Sequence, residues 1–176
     1  MQIQKKHIIG WSFLGIILFI SYYLLGGFTE VKIELKEQEK FYITGKKFIG
    51  ESKDATLDSL VEATHQAYTE GKLSGTFSIC FFGNPDEADT VEVLVGTMHI
   101  EEIAPPKNYI QESFKAGSAI VASIEAEAVV APSATETNEK IEGFAKENDL
   151  RLKDIFIEKY EDDFKIVTVV PVEQNR

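Results

Sequence analysis

The chain has 176 residues, of which 44% are hydrophobic and 27% are charged, and its net charge is −11. This composition is typical of a globular protein, and the length suits one domain with a substantial core. The acidic balance argues against a nucleic-acid-binding protein, because phosphate binding needs a basic face. A single cysteine, Cys80, excludes an internal disulfide, and three histidines without ligand spacing predict no metal site. We expect no cofactor.

The N-terminal segment, residues 7–28, contains no Asp, Glu, Lys or Arg. An apolar run of that length is enough to cross a bilayer as a helix. A cleaved signal peptide is the alternative, but the apolar stretch is long for that role and no A-x-A site follows it. The segment therefore predicts a single-pass anchor in the cell membrane after a short tail, residues 1–6. The basic tail favours an extracytoplasmic position for residues 29–176, although lysines also follow the segment.

The first half of the remaining chain predicts four strands and one helix. Strand patterns with period two and turn residues between them occur in four stretches: Val31–Lys36, FYIT, TFSICFF and TVEVLVG. Asp54 is a suitable N-cap for a helix over Ala55–Thr69, which has one apolar face. The turn GNPDEAD, with its Asn-Pro pair, separates the last two strands.

The same order of elements recurs after a predicted joint at Ala104–Pro106. Strands are predicted at Tyr109–Phe114, Ala119–Ile124, KDIFIEKY and FKIVTVVPV. Ser133 and Glu136 form a capping box for the helix between them. An offset of about 78 residues superimposes the two halves, repeat one (31–103) and repeat two (107–172).

This duplication predicts an α+β fold. Two strand–strand–helix–strand–strand units would form a pseudo-twofold antiparallel sheet with the helices on one face. The other face would be open and concave. A seam between two such units is a common place for a ligand.

Two stretches in this order resemble the GyrI-like small-molecule-binding domain, which is also the effector-binding module of multidrug-responsive transcription activators. FSICFFGNPDEADTVEVLVG resembles the family's strand–turn–strand unit, and FIEKY resembles its second-repeat strand with a Glu two residues before a Tyr. The resemblance covers about Val31–Val172. It implies that Glu158 contacts the positive charge of a lipophilic cation in an aromatic-lined pocket. No DNA-binding helices precede the domain, so transcription regulation is not implied.

The strand KDIFIEKY contains the residues on which a ligand site depends. Alternation places Phe156, Glu158 and Tyr160 on one face. An open, solvated face is the alternative for Glu158, but such a face rarely collects aromatic side chains. The repeat offset aligns Cys80 with Glu158 and Phe82 with Tyr160, so Cys80 and Phe82 are also ligand-binding candidates. Two alternatives remain open: Phe82 is an ordinary aromatic residue of the core, and Cys80 is a small core residue without a chemical role.

Three functions follow from this interpretation. The first is a membrane-anchored module that binds a small, partly apolar or cationic molecule through Glu158 and the aromatics. The second is a GyrI-like hydrolase in which Glu158 is the general base and Tyr160 a hydrogen-bond donor. The third is a membrane-tethered adaptor, which ranks last because such adaptors depend on a long disordered tail and the chain ends at Arg176. Protein partners cannot be identified from the sequence, and no catalytic residue is assigned.

Overall fold

The computed structural model describes residues 21–22, 30–86, 89–126, 131–162 and 165–173. From residue 30 onward these ranges form eight strands and two helices in an α+β arrangement. The strands are β1 Lys32–Gln38, β2 Phe41–Glu51, β3 Thr76–Phe82, β4 Thr90–His99, β5 Ile110–Phe114, β6 Gly117–Glu125, β7 Ile155–Asp162 and β8 Lys165–Pro171. The helices are α1 Ala55–Thr69, after β2, and α2 Ala134–Glu147, after β6.

Both helices begin at the residues that the sequence predicts. The Asp54 carboxylate accepts a hydrogen bond from the Thr56 N–H at 2.8 Å, and Ser133 Oγ accepts one from the Glu136 N–H at 3.1 Å. Each cap satisfies a backbone donor that has no partner inside the helix, which typically stabilises a helix by about 1 kcal/mol. Local chemistry therefore accounts for the helix starts.

All eight strands form one antiparallel sheet in the order β1-β6-β8-β7-β3-β4-β2-β5. Exchanging the two repeats reverses this order, so the pseudo-twofold axis lies between β3 and β7. The first strand of each repeat does not pair with its own neighbour in sequence: β1 pairs with β6, and β5 pairs with β2. Each repeat thus completes the sheet of the other.

The sheet has two faces with different cores. On the helix face, Phe77, Ile79 and Val93 pack against α1, and Phe156 and Val170 lie in a second cluster with α2. On the inner face, a third cluster joins seven strands and buries ten residues: Phe41, Ile43, Cys80, Leu94, Phe114, Ala119, Val121, Ile157, Val167 and Val169.

The expectation of an open face opposite the helices is wrong, because the sheet curls and fills its own concave side. Phe114 of β5 stacks on Phe41 at 4.9 Å between ring centroids and lies 6.5 Å from Phe82 of β3. β3 and β5 are separated in the sheet by β4 and β2. Only a strongly curled sheet brings side chains of such distant strands into contact.

Two glycines lie where β2 and β4 approach most closely. Gly45 and Gly96 are direct cross-strand partners. A Cβ added to Gly96 would lie 2.1 Å from the Thr44 carbonyl oxygen, and one added to Gly45 would lie 2.4 Å from that of Val95. Both positions therefore require glycine, as expected where one backbone comes close to another in a bent sheet.

The predicted location at the cell membrane is contradicted. Among the described residues, no helix is long and apolar enough to cross a membrane. α1 and α2 have 15 and 14 residues and carry charged side chains, whereas a span needs about 20 apolar residues. The predicted transmembrane helix, residues 7–28, lies outside the described residues apart from Ser21 and Tyr22. The extracytoplasmic position predicted for residues 29–176 depends on that membrane location and is contradicted with it.

Candidate functional site

The strands β3 and β7 meet at the pseudo-twofold axis and place Glu158 on the helix face. Glu158 lies directly opposite Ile79, and Phe156 lies opposite Phe81. Directly opposed residues of an antiparallel pair share a face. Phe81 packs against the clusters of both helices. The carboxylate thus lies near the middle of the helix face, where the two repeats join.

Glu158 is half-buried and has one hydrogen-bond partner among the described residues. The Tyr160 hydroxyl donates to Glu158 Oε2 at 2.9 Å. Tyr160 is two residues farther along the strand, so both side chains lie on the same face. No Lys, Arg or His of the described ranges forms an ion pair with Glu158: the six ion pairs there involve other carboxylates. Among the described residues, the partly desolvated carboxylate therefore has a neutral hydrogen-bond donor beside it and no positive charge.

The electrostatic environment raises the pKa of Glu158 above its ordinary value of 4.5. Burial is the largest cause, and the negative charge of Asp86 adds to it, while the hydrogen bond from Tyr160 opposes the shift. The pKa of Tyr160 is also raised, first by burial and then by the neighbouring carboxylate. Tyr160 therefore keeps its proton and remains a donor at neutral pH.

Aromatic rings extend from Tyr160 toward α1. The Phe77 ring lies 5.7 Å from that of Tyr160. From the helix, the rings of His65 and Tyr68 lie 5.0 and 5.9 Å from Phe77, His65 meeting it edge-on. His65 is exposed and Tyr68 half-buried, so this aromatic group continues from the core to the surface beside Glu158.

The turn between β3 and β4 connects repeat one to α2 of repeat two. The Asp86 carboxylate accepts hydrogen bonds from Thr135 Oγ1 at 2.7 Å and from Asn138 Nδ2 at 2.8 Å. In the same turn, Asn84 Nδ2 donates to Glu142 Oε1 at 2.9 Å. These bonds hold Asp86 close enough to Glu158 to affect its pKa.

The five predicted ligand-binding residues divide between the two faces. Phe156 and Tyr160 lie on the helix face with Glu158, whereas Cys80 and Phe82 lie on the inner face, opposite Ile157 and Ile155. The repeat offset aligned Ile79 with Ile157, whose side chain lies on the opposite face. A shift of one residue moves every side chain of a strand to the other face. The binding role of all five stays a prediction, but the structure does not bring Cys80 and Phe82 to Glu158.

Cys80 is fully buried in the inner-face core. Burial raises the pKa of its thiol to about 12, and the charge of Glu112 contributes. A thiol with so high a pKa is a poor nucleophile. Among the described residues no group of His, Cys, Asp and Glu converges to hold a metal ion, so no metal is assigned to Glu158.

Two residues near the pair of Glu158 and Tyr160, Phe77 and Asp86, are not among the residues that the sequence predicts for the site. Phe77 reaches Tyr160 because β3 pairs with β7 in this register. Asp86 depends on the path of the turn over α2. The Asn84-Pro85 turn predicted only that the chain reverses there, and no sequence pattern identified the helix that it contacts.

No family model matches the chain, and no curated protein matches it. Solved structures do match. The integron cassette protein VCH_CASS2 from the mobile metagenome of Vibrio cholerae is 15% identical, with a TM-score of 0.60 over 82% of this chain and 99% of that chain. The chain has a GyrI-like fold. The C-terminal domain of EcmrR is 13% identical, with a TM-score of 0.58 over 82% of this chain and 99% of that chain. SAV2435, solved bound to tetraphenylphosphonium, is 14% identical, with a TM-score of 0.55 over 81% of this chain and 94% of that chain.

Proposed function

We propose that the helix face binds an organic cation with an apolar body, and that Glu158 pairs with its positive charge. The observation that carries this proposal is the half-buried Glu158 carboxylate, which accepts a hydrogen bond from Tyr160 and has no basic partner in the described part of the chain. The Tyr160 ring contacts Phe77, so aromatic surface begins next to the carboxylate. The fold supports it, since SAV2435 has the same fold and was solved with tetraphenylphosphonium, a lipophilic cation.

The energetics favour a cation over a neutral molecule of the same shape. Two opposite charges about 4 Å apart attract by about 4 kcal/mol at an effective dielectric of about 20, before desolvation is subtracted. An aromatic face near the cation adds about 0.5–2 kcal/mol. The protein already carries much of the cost of desolvating Glu158, because among the described residues this carboxylate has the Tyr160 hydroxyl as its one hydrogen-bond partner. A bound cation would offset that cost.

The raised pKa couples binding to protonation. A neutral Glu158 offers no charge to a cation, so binding requires the ionised form and releases a proton from molecules in which Glu158 is protonated. The aromatic group formed by His65, Tyr68 and Phe77 would contact the apolar part of the ligand.

The pair of Glu158 and Tyr160 supports a second function, hydrolysis. A carboxylate whose pKa is raised toward neutrality is a suitable general base, and the Tyr160 hydroxyl is a donor 2.9 Å away that could polarise a substrate oxygen. The two functions differ in one respect: a hydrolase turns over a reactive neutral substrate, whereas a binding module retains a cation unchanged.

The domain organisation is part of the proposal. We propose that residues 29–176 form one domain in which repeats 31–103 and 107–172 fold together. The exchanged strands β1 and β5 support this, because neither repeat holds its first strand by itself. Expressing one repeat alone should give a chain without cooperative unfolding.

A titration of the full chain tests the function. Tetraphenylphosphonium and the neutral triphenylphosphine oxide would be titrated into the wild type, Glu158→Gln and the control Glu139→Gln, which changes an exposed glutamate of α2. We expect Glu158→Gln to weaken the cation by about tenfold or more, or about 1.4 kcal/mol, and to change the neutral compound little. Glu139→Gln should change neither. Equal affinity of the wild type and Glu158→Gln for the cation would refute the proposal.

A further inference from the structure

A cavity that the proposed cation site does not use lies on the other side of the sheet from Glu158. It has a volume of about 330 Å³ and opens where β1 joins β2 and β3 begins. Its apolar lining comes from Phe41, a member of the inner-face core, and from Met98, which packs against that core. Thr76 lies opposite Met98 and also lines the cavity. The volume falls within the range of small-molecule sites in proteins.

Lys159 lines this cavity and is loosely paired. Its side chain is 19% exposed, and its Nζ lies 3.4 Å from Glu161 Oε1. The same Glu161 forms a closer ion pair with Lys165, at 2.6 Å. No other carboxylate of the described residues forms an ion pair with Lys159. The Lys159 side chain is therefore mostly buried, and its ion pair with Glu161 is the longer of the two.

A buried hydroxyl without a partner lies next to Lys159. Ser78 is the direct cross-strand neighbour of Lys159 and lies two residues after Thr76 on the same face. It is fully buried, and its Oγ has no hydrogen-bond partner among the described residues. Its neighbour on the other side is Gly96, which has no side chain to satisfy it. Ser78 does not line the cavity, so this hydroxyl lies in the wall behind Lys159 and does not contact a ligand there.

The other charged side chains that line the cavity do not outweigh the positive charge of Lys159. Glu37 already accepts a hydrogen bond from Ser118 Oγ at 2.6 Å. Glu39 is exposed to solvent, so its charge is screened. Lys40 and His99 also line the cavity, the latter bonded to Thr44. The other Glu and Lys side chains of the lining are all exposed, whereas Lys159 is half-buried, so its charge is the least screened of them.

We propose that this cavity binds an organic anion with an apolar body, a carboxylate or sulfonate whose charged group pairs with Lys159. Its apolar part contacts Phe41 and Met98. This site is separate from the proposed cation site and goes beyond it, because the two lie on opposite faces and select opposite charges.

The experiment uses the full chain and the fluorescent apolar anion 8-anilinonaphthalene-1-sulfonate. The variants are Lys159→Met and the control Lys165→Met, which removes the other lysine bonded to Glu161 but does not line the cavity. We expect Lys159→Met to weaken the dye by about tenfold, and Lys159→Arg, which keeps the charge, to restore it to within about threefold. Lys165→Met should bind as the wild type does.

A competition experiment on the wild type does not depend on any variant folding. Octanoate should displace the dye, whereas octylammonium and octanol, with the same chain length, should do so at least about tenfold less well. Three results would overturn the proposal: no saturable dye binding, equal binding by the wild type and Lys159→Met, or equal displacement by the anionic and cationic competitors. Circular dichroism and melting temperatures would show that each variant compared is folded.

Discussion

Glu158 and Lys159 are adjacent in the chain, yet they lie on opposite faces of the same strand. On the helix face, the carboxylate has a tyrosine hydroxyl and aromatic neighbours, an environment suited to a cation. On the inner face, the Lys159 side chain lines a cavity for which we propose an anionic ligand. Two consecutive residues of a central strand thus present opposite charges on opposite faces, and the two proposed sites are separated by the thickness of one sheet.

The curl of the sheet shapes the inner face, so disrupting it should have the largest effect. Gly96→Ala places a methyl group 2.1 Å from the Thr44 carbonyl oxygen, and we expect a loss of about 3 kcal/mol in the free energy of unfolding. Gly143→Ala in α2 is the control, because nothing lies within 4 Å of the added methyl group. It should increase stability by about 0.5–1 kcal/mol. Urea unfolding measures both, and a neutral Gly96→Ala would contradict the close approach of β2 and β4.

A cross-measurement would test whether the two faces are independent. We expect Glu158→Gln to lose about tenfold or more in tetraphenylphosphonium affinity while the anionic dye binds unchanged. Lys159→Met should show the reverse pattern. The two titrations on each variant, with Glu139→Gln and Lys165→Met as controls, measure this directly. Loss of both ligands in either variant would mean that the faces do not act separately.

The pH dependence should differ between the faces. Because the pKa of Glu158 is raised by burial and by Asp86, its ionised form is disfavoured in the folded protein. Cation affinity should therefore rise with pH until it passes the raised pKa, and Glu158→Gln should abolish this rise. Titrations across pH 4 to pH 8 would show it. A pH-independent affinity in the wild type would contradict ionisation of Glu158 on binding.

The same shift predicts a dependence of stability on pH. Since the folded-state pKa of Glu158 lies above its unfolded value, its ionisation weakens folding as pH rises from about 4.5 through the folded pKa. Glu158→Gln should therefore match the wild type at low pH and become the more stable of the two above that window. Melting temperatures at several pH values would measure the difference, and a gap that narrows with rising pH would contradict it.

The smallest effect is expected at the turn above α2. Asp86→Asn removes a like charge near Glu158, which should lower the pKa of that carboxyl group. The loss of negative charge should also weaken cation binding, by about twofold to threefold. Asp89→Asn, an exposed change in the same turn, is the control. Calorimetric titration at pH 7 can resolve this difference, and identical affinities for the two variants would remove Asp86 from the site.

The elements of the fold could be predicted from sequence because their causes are local. The helix over Ala55–Thr69 has the predicted bounds and cap, and TFSICFF forms β3 as expected. Alternation also determined that Phe156, Glu158 and Tyr160 share a face. These features depend on caps, turn residues and side-chain periodicity, which act within a few residues.

Only the tertiary structure decided which strands meet and in what register. The exchange of β1 and β5 between repeats, and the pairing that places Ile79 opposite Glu158, are contacts between distant residues. Backbone hydrogen bonds are the same for any sequence, so the correct alignment of the two repeats carries no local signal. The offset of about 78 residues matched residues that lie on opposite faces, and Cys80 and Phe82 therefore lie on the inner face and not beside Glu158. The sequence by itself determined that a carboxylate and an ammonium group alternate along β7, and the curled sheet decided what surrounds each of them.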